Sequence, residues 1–306
     1  MTRLPSTNRD SGLSTIADAD GVFAIIAMDQ RNTLRRMFEA VGRPPQEADM
    51  RTAKVDVARA LTPLASGILL DPSFGVPAVT EAGALAPGCG LLVAAEPEKR
   101  GTWNGEPRAH RDPALSAAWA KDLGADAVKF LVQLRPGRPP GEPDLGAEVL
   151  DVVRQVVADC RAEGIPSVIE NLIYPYADEQ LTPQQREDLI VEATVQIAET
   201  SPDLIKIEYP GSAQGCRRIR EAVNGPWAVL SAGVGFEEFQ DVLRISCEEG
   251  GASGFIAGRS IWKEAVGLDG PARSEFLDTV ARPRLEKCLE TVAGRARPWT
   301  EAAVAR

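Results

Sequence analysis

The chain has 306 residues, 44% hydrophobic and 25% charged, enough to fill one large α/β barrel or two ordinary domains. Its 34 Lys and Arg stand against 44 Asp and Glu, a formal charge of -10; nucleic acid is therefore not an expected partner, and a small anion would need a local basic cluster. No apolar run reaches the roughly 18 residues of a membrane-spanning helix, the polar stretch Met1 to Gly12 lacks the apolar core of a signal peptide, and five dispersed cysteines (Cys89, Cys160, Cys216, Cys247, Cys288) read as reduced thiols of a cytoplasmic protein.

Short apolar runs then recur along the chain, and polar residues gather where each one stops. Val22 to Met28 leads into Asp29-Gln30-Arg31, Gly67 to Leu70 into Asp71, and Leu91 to Ala95 into Glu96. Ala127 to Val132 contains Lys129 and is followed by Gly137 to Gly141, which reads as a strand-to-helix loop rather than a domain boundary. Val149, Val152, Val153, Val156 and Cys160 mark the buried stripe of the next helix, which stops at Gly164 before Pro166. Ser167 to Ile169 reaches Glu170. Thr182, with Pro183 behind it and Gln185 at the third helical position, forms a capping box for a helix whose buried face is Leu189, Ile190, Ala193 and Ile197. Leu204 to Ile207 carries Lys206 and leads to Glu208, Trp227 to Leu230 leads to Ser231-Ala232-Gly233, and Gly254 to Ala257 to Gly258-Arg259. A last helix is expected near Arg273 to Val292, with a frayed tail beyond.

Eight runs apolar on both faces, alternating with helices, predict parallel strands covered on both sides. The expected fold is a single-domain (β/α)₈ TIM barrel spanning about 21–267, with the C-terminal helix outside it; an open, doubly wound sheet is the alternative. In a barrel the carboxyl ends of the strands form one rim, where active sites of this fold lie.

Lys129 and Lys206 sit inside apolar strands, where desolvation and a neighbouring positive charge can draw a lysine towards a pKa of about 7–8. An unprotonated amine attacks a ketone, and the resulting iminium is an electron sink for carbon–carbon cleavage. Lys206 and Glu208, two apart on a strand, are expected to face the same way. Glu170 suits an acid/base whose pKa is raised by an apolar mouth, or a group that only neutralises a lysine. The Ser231-Gly233 and Gly258-Arg259 turns suit a phosphate site of backbone donors and a guanidinium. Arg31, across the rim, suits a second anion, though it could instead cap its own helix or pair with Asp29. The lone histidine, His110, lies in a polar loop and cannot build a zinc site of several His ligands.

Ala27-Met28-Asp29-Gln30-Arg31, Ile68 to Pro72, Ala127 to Leu131, Ile169-Glu170, Asp203 to Glu208, Leu230 to Val234 and Gly251 to Trp262 together resemble the metal-independent tagatose-1,6-bisphosphate aldolases, a family that includes sulfofructose-1-phosphate aldolases. The resemblance runs from about Gly21 to Gly267. It implies class I chemistry without metal or cofactor, with dihydroxyacetone phosphate as one product. Lys206 is then the Schiff-base lysine, Glu170 the acid/base and Lys129 their catalytic neighbour, with Asp29 beside them. Ser231, Ala232, Gly233, Gly258 and Arg259 would hold the phosphate nearest the ketone. Gln30 and Arg31 would meet the far end of the sugar, with Asp71 and Glu208 at its edge. A short Tyr209-Pro210-Gly211-Ser212 segment resembles the sulfosugar branch, whereas Leu70-Asp71-Pro72 and Cys89 to Leu92 resemble the tagatose branch. The expected partner is a small sugar phosphate or sulfosugar phosphate, without nucleic acid or membrane, in a homo-oligomer. Two other functions fit the residues: a Mg²⁺ lyase or isomerase built on Asp29, Asp71, Glu96 and Glu170, and a sugar-phosphate sensor that binds without turnover.

Overall fold

Strands apolar on both faces need cover on both, and this chain provides it by closing the sheet on itself inside a ring of helices. The computed structural model describes residues 12–138 and 143–303. Its strands are β1 (Phe23–Met28), β2 (Gly67–Leu70), β3 (Gly90–Ala94), β4 (Gly101–Trp103), β5 (Glu106–Arg108), β6 (Ala127–Val132), β7 (Ser167–Asn171), β8 (Leu204–Ile207), β9 (Trp227–Leu230) and β10 (Gly254–Ala257). Eight form a closed parallel barrel in the order β1-β10-β9-β8-β7-β6-β3-β2, and β4 and β5 form a separate antiparallel pair. The open-sheet alternative is thereby removed.

Strand alternation divides the core into two. Side chains such as Phe23, Ile25, Leu69, Leu92, Ala127, Val168, Leu204, Ala228 and Ile256 fill the barrel, with Leu13 and Ile16 packed beneath them. The opposite faces meet the helices in a larger cluster. Gly90 is required at that floor, because a Cβ there would lie 2.3 Å from the Thr15 carbonyl oxygen. One step further up the same inward rows, Ala127 gives way to Lys129, Val168 to Glu170 and Leu204 to Lys206. The catalytic candidates thus stand directly on the apolar plug.

The expected helix signals hold. Thr182 caps the helix Pro183–Ala198, its hydroxyl accepting from Gln185 N–H at 3.2 Å while Gln185 Oε1 accepts from Thr182 N–H at 2.9 Å. Gly164 ends the helix Leu145–Glu163 at a left-handed φ of 63°. The expected C-terminal helix runs through Gly270–Phe276, a wider turn at Leu277–Ala281, and Arg282–Val292.

Three features differ. The strand expected to stop at Ile169 continues to Asn171, placing Glu170 inside the ladder. The β4–β5 hairpin was not anticipated; its turn is Asn104-Gly105, both with positive φ, a pair that suits a two-residue hairpin but is flanked by strands too short and polar to read as such. The tail is not frayed through residue 303: Trp299–Ala303 is helical, and Trp299 N–H donates to the Gly21 carbonyl at 2.9 Å. Of the loop Gly137 to Gly141, residues 139–141 lie outside the described residues, as do residues 1–11 of Met1 to Gly12. Among the described residues no helix is long and apolar enough to cross a membrane.

Candidate active site

Glu170 and Lys206 are register partners across β7 and β8, so the ladder itself places one beside the other. Lys206 Nζ lies 2.9 Å from Glu170 Oε1, and Lys129 Nζ lies 2.8 Å from Glu170 Oε2. Lys129 also meets Asp29 Oδ2 and Glu96 Oε1, each at 2.9 Å. All five groups sit at the mouth of the barrel, and the side chains of Lys129 and Lys206 are only 1% and 5% exposed.

Alternating charge in so dry a place decides the protonation states. Burial alone would lower the Lys129 pKa, but Asp29, Glu170 and Glu96 outweigh it and hold the ammonium well above its ordinary value. Burial would likewise raise Glu170 and Asp29, yet Lys129 and Lys206 hold both carboxyls below the usual range, with Lys54 adding to the effect on Asp29. This reverses two expectations: Lys129 is not tuned down, and Glu170 is not raised. Opposite charges beside each outweigh burial and, at Glu170, the like charge of Asp29.

Above these groups opens a cavity of about 730 Å³. Ser231, Ala232, Gly258 and Arg259 line one side, and Gln30 and Arg31 another. Arg259 donates to the Ala232 carbonyl at 3.1 Å, and its guanidinium lies over Gly233, where a Cβ would come within 3.2 Å of Cζ. Gly258 is forced by the neighbouring strand, since a Cβ there would fall 2.2 Å from the Ala27 carbonyl oxygen. Arg31 donates to the Glu96 carbonyl at 3.1 Å and makes no side-chain cap, so it neither closes its own helix nor pairs with Asp29. Gln30 Oε1 is buried without a hydrogen-bond partner among the described residues.

Gly233 adjoins the lining residue Ala232 without lining the cavity itself, and two further expected site residues are elsewhere. Asp71 is fully buried; its oxygens pair with Lys54 at 2.6 Å and accept from the N–H groups of Ser73, Phe74 and Gly75. Glu208 follows the end of β8 rather than continuing it, and turns to accept from Ile173 N–H at 2.8 Å and from Arg186. Neither lines the cavity. His110 is exposed and also outside it. The carboxylates offered for Mg²⁺ are divided: Asp29, Glu96 and Glu170 converge on an ammonium, and Asp71 on another lysine.

Three cations that line the cavity, Arg36, Lys99 and Arg100, were passed over; Lys99 and Arg100 lie five and six residues past the end of β3, further than the other candidates lie from their strands. Glu96 was weighed only as a metal ligand. Lys54 was missed altogether, yet it falls on the buried stripe Met50, Ala53, Val57, Ala58, Leu61 of the helix Glu47–Leu61, where a lysine is itself a signal.

A model of the DeoC/LacD family aldolases matches residues 23–264. The chain is 29% identical over 336 residues to tagatose 1,6-diphosphate aldolase 2 of Enterococcus faecalis, covering 96% of each chain. It is also 29% identical to tagatose 1,6-diphosphate aldolase of Lactococcus lactis, covering 94% of this chain and 96% of that one. Among solved structures, fructose-bisphosphate aldolase from Plasmodium falciparum superposes with a TM-score of 0.72 at 15% identity, covering 93% of this chain and 94% of that one. A Schiff-base-forming fructose-1,6-bisphosphate aldolase does so with a TM-score of 0.60 at 16% identity, covering 88% and 96%. These two likenesses concern the fold.

Proposed function

Because the chain belongs to the DeoC/LacD aldolase family, we propose that it cleaves a phosphorylated ketose through a Schiff base on Lys206, without a metal. The observation that carries this reading is the shared carboxylate: Glu170 lies 2.9 Å from Lys206 and 2.8 Å from Lys129. Glu170 takes a proton from the Lys206 ammonium, and the freed amine adds to the ketone carbon. Returning that proton to the carbinolamine hydroxyl releases water, forms the iminium and restores the carboxylate. Glu170 then accepts the hydroxyl proton of the substrate's C4 as the C3–C4 bond breaks, and the bonding pair passes into the iminium to give an enamine. The aldehyde leaves; protonation at C3 and hydrolysis release dihydroxyacetone phosphate and free Lys206. A carboxylate is the state from which this scheme starts, and Lys129 and Lys206 hold the Glu170 carboxyl below its usual range. Lys129, kept charged, holds Asp29, Glu96 and Glu170 in place.

The phosphate next to the ketone is assigned to Ser231, the Ala232-Gly233 turn, Gly258 and Arg259, and the far end of the sugar to Gln30 and Arg31. The names of the two curated relatives favour tagatose 1,6-bisphosphate; fructose 1,6-bisphosphate and sulfofructose 1-phosphate are the other two substrates proposed. Five buried cysteines, none of them in a disulfide among the described residues, accord with a cytoplasmic setting, and a homo-oligomer is the assembly expected. The test is a coupled dihydroxyacetone phosphate assay on the three sugars, with and without chelator. Turnover of at least one, unchanged by chelator, is expected. Tight binding of all three without product would support a sensor, and loss of turnover with chelator a metal enzyme.

A further inference from the structure

We propose that Lys54 is a positioning residue of this site, setting the Asp29 carboxylate against Lys129 through the backbone on either side of Asp29. The inference rests on the aldolase reading above and adds a residue that never touches the substrate cavity.

Lys54 rises from the helix Glu47–Leu61 and is 0% exposed. Its ammonium donates to the Met28 carbonyl at 2.6 Å and the Gln30 carbonyl at 3.0 Å, and lies 2.6 Å from Asp71 Oδ1. Three N–H groups meet three acceptors, so the ammonium has no donor to spare. Met28 and Gln30 flank Asp29. With both carbonyls drawn towards Lys54, the Asp29 side chain reaches Lys129 Nζ at 2.9 Å. The anchor is firm at its other end, because Asp71 is tied to the N–H groups of Ser73, Phe74 and Gly75 at 3.1, 2.8 and 3.2 Å. On the same segment, the Trp262 indole donates to the Ala27 carbonyl at 3.1 Å. The chain that leaves β1 is thus held at residues 27, 28 and 30.

Stability alone explains this poorly. A buried ion pair often stabilises no more than apolar side chains of the same volume, and the helix stripe around Lys54 is otherwise apolar. What an apolar residue cannot supply is the pair of bonds that aim Asp29. A charge effect accompanies the geometry: Lys129, Lys206 and Lys54 all favour ionised Asp29, while Glu96 and Glu170 share Lys129 with it and Arg31 follows it in the chain.

The test compares Lys54→Met and the double variant Lys54→Met/Asp71→Asn with the unsubstituted chain. The double variant removes both buried charges and leaves an Asn oxygen to accept from the N–H groups after β2. Tm, kcat, KM and the pH profile of kcat/KM are measured on whichever of tagatose and fructose 1,6-bisphosphate is turned over faster. Misplacing a catalytic group by about 1 Å can cost about 10²-fold in rate, and a fall of about that size in kcat, with a smaller change in KM, is expected. The acid limb should stay in place, because Lys129 and Lys206 remain beside Asp29. A folded variant whose kcat falls less than about tenfold, well short of that range, overturns the proposal. So does a larger fall in kcat matched by an equal change in KM, or failure of both variants to fold, since neither result assigns the pair to positioning. Absence of turnover by the unsubstituted chain is a different result, which counts against the aldolase reading itself.

Discussion

Lys206 Nζ lies 2.9 Å from Oε1 of Glu170, its register partner across β7 and β8. The second Glu170 oxygen is held 2.8 Å from Lys129. A single carboxylate therefore faces one lysine paired with it and another paired with three carboxylates, an asymmetry that supports the proposal of Lys206 as the nucleophile.

Borohydride added during turnover should attach the three-carbon fragment of the substrate to Lys206, as peptide mapping by mass spectrometry would show. Lys206→Met should form no adduct. Label on Lys129 would reverse the two lysines, and good turnover without any adduct would remove the iminium.

Glu170→Gln keeps the shape of the side chain and removes its capacity to carry a proton. Turnover should fall by roughly 10²–10⁴-fold, the range for a positioned acid/base, while some borohydride trapping survives. A fall of less than about threefold, far outside that range, would pass the proton to another group, with Asp29 the nearest candidate; Glu208 is turned away towards Arg186.

Arg259→Ala should weaken binding by about 2–5 kcal/mol if it removes a desolvated charge pair with the phosphate. KM should rise for every substrate with a phosphate on C1, and inhibition by inorganic phosphate should weaken in parallel. Arg31→Ala should act on substrates charged at the far end and leave dihydroxyacetone phosphate binding nearly intact. The opposite pattern would mean that the sugar lies reversed across the mouth.

Protonation links the site to acid stability. Asp29 and Glu170 have folded pKa values below their ordinary ones, about 3.9 and 4.3 in the unfolded chain. Their contribution is therefore complete above those unfolded values and lost as pH falls through the lower folded ones. Below pH about 4, Tm of the unsubstituted chain should fall more steeply than that of Glu170→Gln. Parallel slopes for the two proteins would show that Glu170 is not ionised at rest.

Much of the barrel was legible because its causes are local. Apolar runs, the Thr182–Gln185 cap and the Gly164 stop act over a few residues, and each appears where expected. The rim residues Lys129, Glu170, Lys206, Gln30, Arg31 and Arg259 were legible for the same reason, since each stands in or just after a strand. The limit of that reasoning is plain at Asp71 and Glu208. Both follow apolar strands as Asp29 does, and nothing in their immediate neighbours marks them as different. Asp71 is drawn away by Lys54, distant in the chain, and Glu208 by Ile173 N–H and Arg186.

By itself the sequence determined which segments become the eight barrel strands and that Lys129, Glu170 and Lys206 stand towards their carboxyl ends, because alternation and capping depend on near neighbours. Tertiary structure alone decided which of those groups share the mouth, that Lys54 stands behind Asp29, and in which direction each pKa moves. Coulomb interactions depend on distance and burial in space rather than on separation along the chain. Lys129 meets Asp29, 100 residues before it, at 2.9 Å.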